Sequence, residues 1–182
     1  EDSLLSWFSR KIGFGDNSGG IAASGGTLSN LNALVAARHN AGLSSDPNAV
    51  FLISEDAHSS FIKFTKIMGL SEKSLIKIKT DNNGCMDIDF LNIAIDQCSK
   101  DNKKIFSIVA TLGTTIRGAI DPIEDISKIC KEKNIWLHID GSIGGIYAIT
   151  DIPIKGLDHI NRANSITINP QKILGITKTS SL

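Results

Sequence analysis

The stretch that decides the fold is IFSIVATLGTTIRGAIDPIEDISKICKEKNIWLHID, residues 105–140. It opens on an apolar, β-branched run, Ile105 to Thr111, and closes on another, Ile135 to Ile139; both read as buried strands. Between them Ile123, Ile126, Ile129 and Cys130 recur at the spacing of one helix face. Asp121 stands where it can cap that helix, Pro122 suits its first turn, and Glu124 completes a capping box. A strand, a helix and a strand in this order make a crossover, so the two strands lie parallel and the helix covers their sheet.

The pattern continues outward on both sides. Leu28 to Ala41 reads as a helix with Leu28, Leu31, Leu34 and Val35 on its inner face, followed by a buried strand over Ala49 to Ser54. A helix over Ser60 to Met68 and a half-buried strand over Leu75 to Lys79 come next. Asp87 to Ser99 reads as a helix that buries Leu91, Ala94, Ile95 and Cys98, and Ser165 to Ile168 is the last strand. This alternation predicts an α/β domain with a parallel sheet covered on both faces. Ligands of such sheets sit at the carboxyl ends of the strands. Four segments are therefore candidates: Glu55 to His58, Leu112 to Thr115, Asp140 to Ser142, and Asn169 to Lys172. The chain contains no internal repeat, low-complexity segment or linker.

The bulk properties bound the function. Nineteen basic residues balance nineteen acidic ones among 182, which gives no basis for binding nucleic acid or an anionic membrane. No apolar run approaches the length of a membrane span, and Glu1-Asp2-Ser3 is not the start of a signal peptide. Three scattered cysteines, Cys85, Cys98 and Cys130, fit a reduced, cytoplasmic protein with small buried thiols. They cannot form a four-cysteine zinc site, and the four histidines show no metal-binding spacing. His39 and His159 read as surface residues. The chain opens directly on an apolar stripe, Leu4 to Phe8, and stops at Leu182 as a new apolar element begins. Residues 1–182 thus read as a piece of a longer protein.

Ser24-Gly25-Gly26-Thr27 runs straight into a helix. The unpaired N–H groups of its first turn, with the Thr27 hydroxyl, make an anion cradle suited to phosphate; the other reading is an ordinary glycine turn with a threonine cap. The segment matches neither GxxxxGK[ST] nor GxGxxG. Asp140 ends a buried strand, where a carboxylate is costly without a partner; it is either a functional anion or a cap on the turn before Gly144-Gly145. His58 follows a strand as well. His138 lies on the strand face opposite Leu137 and Ile139. Lys172 follows the strand-ending Asn169-Pro170-Gln171 and means little alone. A phosphate cradle, a ring-sized histidine, a carboxylate and a lysine at one sheet edge together suit pyridoxal phosphate.

Four motifs carry a resemblance: GGTLSNLNALVAAR (25–38), VATLGTTIRGAIDPIEDISKIC (109–130), WLHIDGSIGG (136–145) and NPQK (169–172). In content, order and spacing they resemble the group II pyridoxal-phosphate-dependent amino-acid decarboxylases. The resemblance implies the large domain of fold type I, with a mostly parallel seven-stranded sheet between helices. It implies that Gly26 and Thr27 bind the cofactor phosphate with help from Asn169, and that Gln171 belongs to the cofactor site, in place of a histidine that binds substrate or phosphate or shuttles protons. His58 would stack on the pyridine ring, Thr111 would lie near the ring substituents, and Asp140 would pair with the ring nitrogen. Lys172 would form the internal aldimine, from which an L-amino acid is decarboxylated through a quinonoid to an amine and carbon dioxide. Lys172, His58 and Asp140 are thus the expected catalytic set, and no metal is expected.

Two departures from that pattern stand out. Gln171 stands where the family usually has histidine; it can hydrogen-bond but cannot titrate. Gly141-Ser142 stands where alanine pairs are common, which alters the floor beneath the ring. The resemblance also implies a homodimer with a shared active site, and an N-terminal segment, a catalytic loop and a C-terminal small domain outside residues 1–182. Two alternatives remain open: another carbon–carbon lyase or desulfurase of the same fold, or a non-catalytic fragment or relative. Arg38 reads as a support for the phosphate-cup helix and Arg117 as a residue of a solvated loop.

Overall fold

The computed structural model of the protein describes residues 1–177 and 181–182. Five strands form one sheet: β1 (Ala49–Ser54), β2 (Leu75–Ile78), β3 (Lys104–Thr111), β4 (Trp136–Gly141) and β5 (Ser165–Ile168). Their order is β2-β1-β3-β4-β5, and every pairing is parallel. The resemblance implies seven strands; five occur among the described residues. The chain steps outward from β1 to β2, then returns across β1 to β3 and proceeds the other way. That reversal opens a crevice at the carboxyl ends of β1 and β3, the place where open α/β sheets hold ligands.

Helices cover both faces. On one side α4 (Ile88–Lys100) and α5 (Ile123–Lys133) pack with α1 (Asp2–Ile12) around an apolar layer that includes Leu91, Ile126, Leu137 and Ile139. Each such buried side chain contributes about 1.5–3 kcal/mol relative to exposure. On the other side lie α2 (Gly26–Asn40) and α3 (Ser60–Ile67), with a smaller cluster containing Leu34, Phe61, Phe64 and Phe106. Two 3₁₀ segments, Gly144–Ile149 and Leu157–Arg162, link β4 to β5, and a four-residue helix α6 (Pro170–Ile173) follows β5.

Most predicted elements are present, with ends shifted by one to three residues. Two readings of local sequence are corrected. The capping box at Asp121 does not form: Pro122 occupies the cap position and no side-chain cap bond is made. The Asp121 carboxylate is buried instead and accepts hydrogen bonds from the Met86 and Thr111 N–H groups, both at 2.7 Å. Two backbone donors in an apolar setting outbid a solvent-exposed cap. Glu124 joins an exposed ionic cluster with Lys128, His159 and Arg162.

The second correction concerns α2. It starts at Gly26, and Leu28 and Val35 are exposed while Ser29, Asn30, Leu34, Ala37 and Arg38 are buried. The inner face of this helix is largely polar, so hydrophobic spacing selects the wrong stripe. Arg38 anchors its far end, donating to the Leu43 and Met68 carbonyls at 2.8 Å, which agrees with its predicted supporting role.

Candidate active site

The sheet delivers four short segments to one edge. The registers Thr111↔Asp140 and Asp140↔Thr167 set the ends of β3, β4 and β5 in one row. Beyond that row opens a cleft of about 580 Å³. Gly26, Thr27, His58, Thr111, Asp140, Asn169, Gln171 and Lys172 all line it. Every predicted site residue is thus brought to one place, from five segments spread over 147 positions of sequence.

The helix α2 enters the cleft by its N-terminus. Its cap residue is Gly25, and no side chain of the described residues caps it. Thr27 lies inside the first turn, so it is not the cap, and the free N–H groups there face the cleft with their partial positive charge. Gly26 is held close: a Cβ there would collide with the Ser142 hydroxyl and stand 3.5 Å from Asn169 Nδ2. Only glycine lets the helix start come this near to the ends of β4 and β5.

Asp140 is buried at the mouth of β4. Its Oδ1 accepts the Ser142 N–H at 3.1 Å, as the turn reading expected. Among the described residues its Oδ2 has no such bond and is left for the cleft. The departures at 141 and 142 have physical reasons here. A Cβ on Gly141 would stand 2.8 Å from the Thr167 carbonyl oxygen and 3.0 Å from Gly145 Cα. The Ser142 hydroxyl sits beside Gly26, at the helix start, which makes it part of the cup wall.

His58 is exposed at the rim, and its Nδ1 accepts from the Ser60 N–H at 3.2 Å with the Ser60 hydroxyl at 2.9 Å. These contacts fix the ring orientation. In the neutral ring the proton then sits on Nε2. Lys172 is exposed on α6, its amine free among the described residues. Arg117, expected in a solvated loop, is half-exposed and pairs with Asp56 at 3.5 Å.

Three buried polar atoms of the cleft lack any partner among the described residues: Thr111 Oγ1, Asn169 Oδ1 and Gln171 Oε1. Buried polar atoms are normally satisfied, so three orphans around one cleft fit a polar ligand. An uncapped helix start for an anion, a carboxylate for a cationic ring nitrogen and a lysine amine for an aldehyde fit pyridoxal phosphate in particular.

Sequence reasoning missed three cleft residues. Thr115 and Ser142 line the cleft; Thr115 stood in a scrutinised segment without being singled out, and Ser142 was read only as a change in the floor beneath the ring. Asn30 also lines it, concealed in a helix whose inner face was assigned to leucines. Its position four residues after Gly26, in line with Leu34 and Ala37, was the available signal.

A parallel sheet with these groups at its carboxyl edge is the arrangement of a pyridoxal-phosphate protein. Comparison with known proteins narrows the class. Residues 2–181 match the family described as the pyridoxal-dependent decarboxylase conserved domain, and the chain belongs to that family. It is 33% identical over 175 residues to an aromatic-L-amino-acid decarboxylase of Bacillus atrophaeus, covering 96% of this chain and 36% of that protein. It is 34% identical over 181 residues to the acidic amino acid decarboxylase GADL1 of Xenopus tropicalis, covering 96% and 35%. The crystal structure of mouse CSAD in apo form superposes with a TM-score of 0.92 at 29% identity, over 98% of this chain and 39% of that one. The chain spans about a third of the length of the curated relatives it matches.

Proposed function

We propose that the protein carrying this domain uses pyridoxal phosphate to decarboxylate an L-amino acid to its amine and carbon dioxide. The observation that supports it best is the convergence of the uncapped α2 start, Asp140 and Lys172 on one cleft bordered by three orphaned polar atoms. When bound, the cofactor supplies an aldehyde that captures the substrate amine and a protonated ring that takes up the electron pair left by departing carbon dioxide.

The residues divide the remaining work. Gly26 and Thr27 bind the phosphate through first-turn N–H groups and the Thr27 hydroxyl, with Asn169 and Gln171 completing the cup. Because a carboxamide donates and accepts without titrating, Gln171 adds no pH-dependent step to that binding. Asp140 holds a proton on the ring nitrogen, and its fixed charge needs no reorganisation during reaction. His58 would cover the ring, Thr111 would lie near its substituents, and Lys172 Nζ would hold the cofactor through its aldehyde.

Residues 1–182 are then part of the large domain, the rest of the protein supplying an N-terminal segment, a catalytic loop and a small domain. We read the protein as a cytoplasmic homodimer with a shared site. The free thiols of Cys98 and Cys130 are buried, burial pushing that of Cys130 up to about 12, which fits a reducing compartment. Leu28, which lines the cleft, Val35 on the same helix and Ile116, next to the cleft-lining Thr115, are apolar and exposed, as a subunit contact requires. Among the described residues no helix is long and apolar enough to cross a membrane.

Similar identities to an aromatic and an acidic decarboxylase leave the substrate open. The test is carbon dioxide release by full-length protein with pyridoxal phosphate across a panel of aromatic and acidic L-amino acids. Release from one class, lost in Lys172→Ala, is expected. Cofactor-dependent turnover without carbon dioxide release would indicate a different lyase, and no turnover with any amino acid would contradict the proposal.

A further inference from the structure

Behind the cleft, outside the residues given roles above, lies a fully buried histidine. His138 sits on β4 two residues before Asp140, on the same strand face. Both ring nitrogens are partnered: Nδ1 lies 2.8 Å from Ser165 Oγ on β5, and Nε2 lies 2.9 Å from Asn30 Oδ1 on α2. Ser165 Oγ also accepts the Trp136 Nε1–H at 2.8 Å.

These contacts determine the proton positions. Asn30 presents its carbonyl oxygen, which only accepts, so His138 Nε2 carries a proton. Burial lowers the imidazole to about 4, so the ring is neutral and Nδ1 is an acceptor. Ser165 therefore donates its hydroxyl proton to Nδ1 while accepting from Trp136. With that tautomer the chain of donors runs in one direction, Trp136 to Ser165 to His138 to Asn30.

The chain ends one helical turn from the phosphate cup. Asn30 and Gly26 are four residues apart on α2 and so lie on one face of the helix. At its other end His138 belongs to the strand that carries Asp140. We propose that His138 is a positioning residue: through its Nε2–H bond to Asn30 it sets the distance and rotation of the phosphate-binding helix start relative to the Asp140 carboxylate. The strut thereby matches the two anchoring points of the cofactor, phosphate at one end and ring nitrogen at the other. A neutral imidazole suits this task, because a cation beside Asp140 would compete for the charge reserved for the ring nitrogen.

A large residue that merely filled space would give a different result. The α2 contact and the β5 contact use different ring nitrogens, so two substitutions separate them. Glutamine places an N–H donor near the Nε2 position and keeps the Asn30 bond. Asparagine places its polar atom near Nδ1, keeps the Ser165 bond and loses Asn30.

The inference rests on the cofactor reading above, and the experiment distinguishes their failures. The affinities of the full-length apo-protein for pyridoxal phosphate and for pyridoxal, which lacks the phosphate, are measured by absorption titration for wild type, His138→Asn, His138→Gln and Asn30→Leu. In His138→Asn and Asn30→Leu, pyridoxal phosphate affinity should fall about tenfold, the scale of one hydrogen bond lost, while pyridoxal affinity changes little. His138→Gln should stay close to wild type, which a packing role would not allow. Equal weakening of both ligands, or unchanged phosphate preference in both Asn30→Leu and His138→Asn, would overturn the strut. If His138→Asn fails to fold, Asn30→Leu alone decides. Wild-type protein that binds neither ligand would remove the cofactor reading and the strut with it.

Discussion

The two faces of the sheet differ in kind, and strand β4 shows it within five residues. Leu137 and Ile139 point into the apolar layer under α4 and α5, whereas His138 and Asp140 point toward α2. The first face is an apolar cluster, with the buried Asp121 carboxylate at its edge claimed by two backbone N–H groups, and it holds the domain together mainly by burial. The second combines a smaller apolar cluster around Phe61, Phe64 and Phe106 with a hydrogen-bonded layer of Asn30, His138 and Ser165 that leads to the cleft. Stability and chemistry are thus separated by the alternation of a single strand. A change on one face should leave the other face's property largely intact.

The largest expected effects come from breaking each face separately. Leu137→Ala removes a fully packed side chain and should cost about 2–5 kcal/mol in denaturant unfolding, with cofactor affinity per folded molecule unchanged. Asp140→Asn should do the reverse, lowering kcat on the order of 10²–10³-fold with a much smaller change in the unfolding midpoint. If Leu137→Ala altered the cofactor affinity of folded protein as strongly as Asp140→Asn alters kcat, the separation would be wrong.

Next in size is the pH dependence, because burial displaces His138 on one side of the sheet and Asp121 on the other, with opposite effects on stability. Burial depresses His138 from 6.5 to about 4. Unfolding lets it take up a proton, so its stabilising contribution is full above pH 6.5 and is lost as pH falls toward 4. Burial raises Asp121 from 3.8 to about 6, against the two backbone bonds it accepts. Its contribution is full below pH 3.8 and is lost as pH rises through 6. Each displacement corresponds to roughly 3 kcal/mol, so the two should nearly cancel between pH 4 and 6. Asp121→Asn should therefore make unfolding free energy fall steeply with acidification in that window, and His138→Gln should make it rise. Parallel pH curves for wild type and both variants would contradict the assignment of these buried groups.

The smallest effect lies on the solvent side of α5. Lys128 pairs with Glu124 at 3.1 Å and with Asp125 at 3.5 Å, all half-exposed. Exposed pairs contribute little, so Lys128→Ala should leave the unfolding midpoint nearly unchanged and the cofactor site untouched. A larger shift would show that the ionic cluster around Glu124 supports the apolar face.

The same contrast explains what the sequence revealed. The apolar face was legible because burial without polar partners leaves a clean period: Ile123, Ile126 and Cys130 on α5, and Leu91, Ile95 and Cys98 on α4, are buried as predicted. The polar face was not. Helix α2 buries Ser29, Asn30 and Arg38, so a leucine count placed Leu28 and Val35 inside when they face solvent. Asp121 was misread for a related reason. Its local sequence is a good cap, but two backbone donors 10 and 35 residues away claim the carboxylate. The site residues were legible by position, at the ends of strands, because a parallel sheet gathers those ends whatever lies between. Asn30 escaped because it lies within a helix.

The central claim is that the cleft is a cofactor site built around Lys172. Full-length protein incubated with pyridoxal phosphate, reduced with borohydride and digested tests it directly by peptide mass spectrometry. The account predicts a single phosphopyridoxyl group on Lys172 Nζ, absent from Lys172→Ala. An adduct on any other lysine, or no adduct at saturating cofactor, would contradict it.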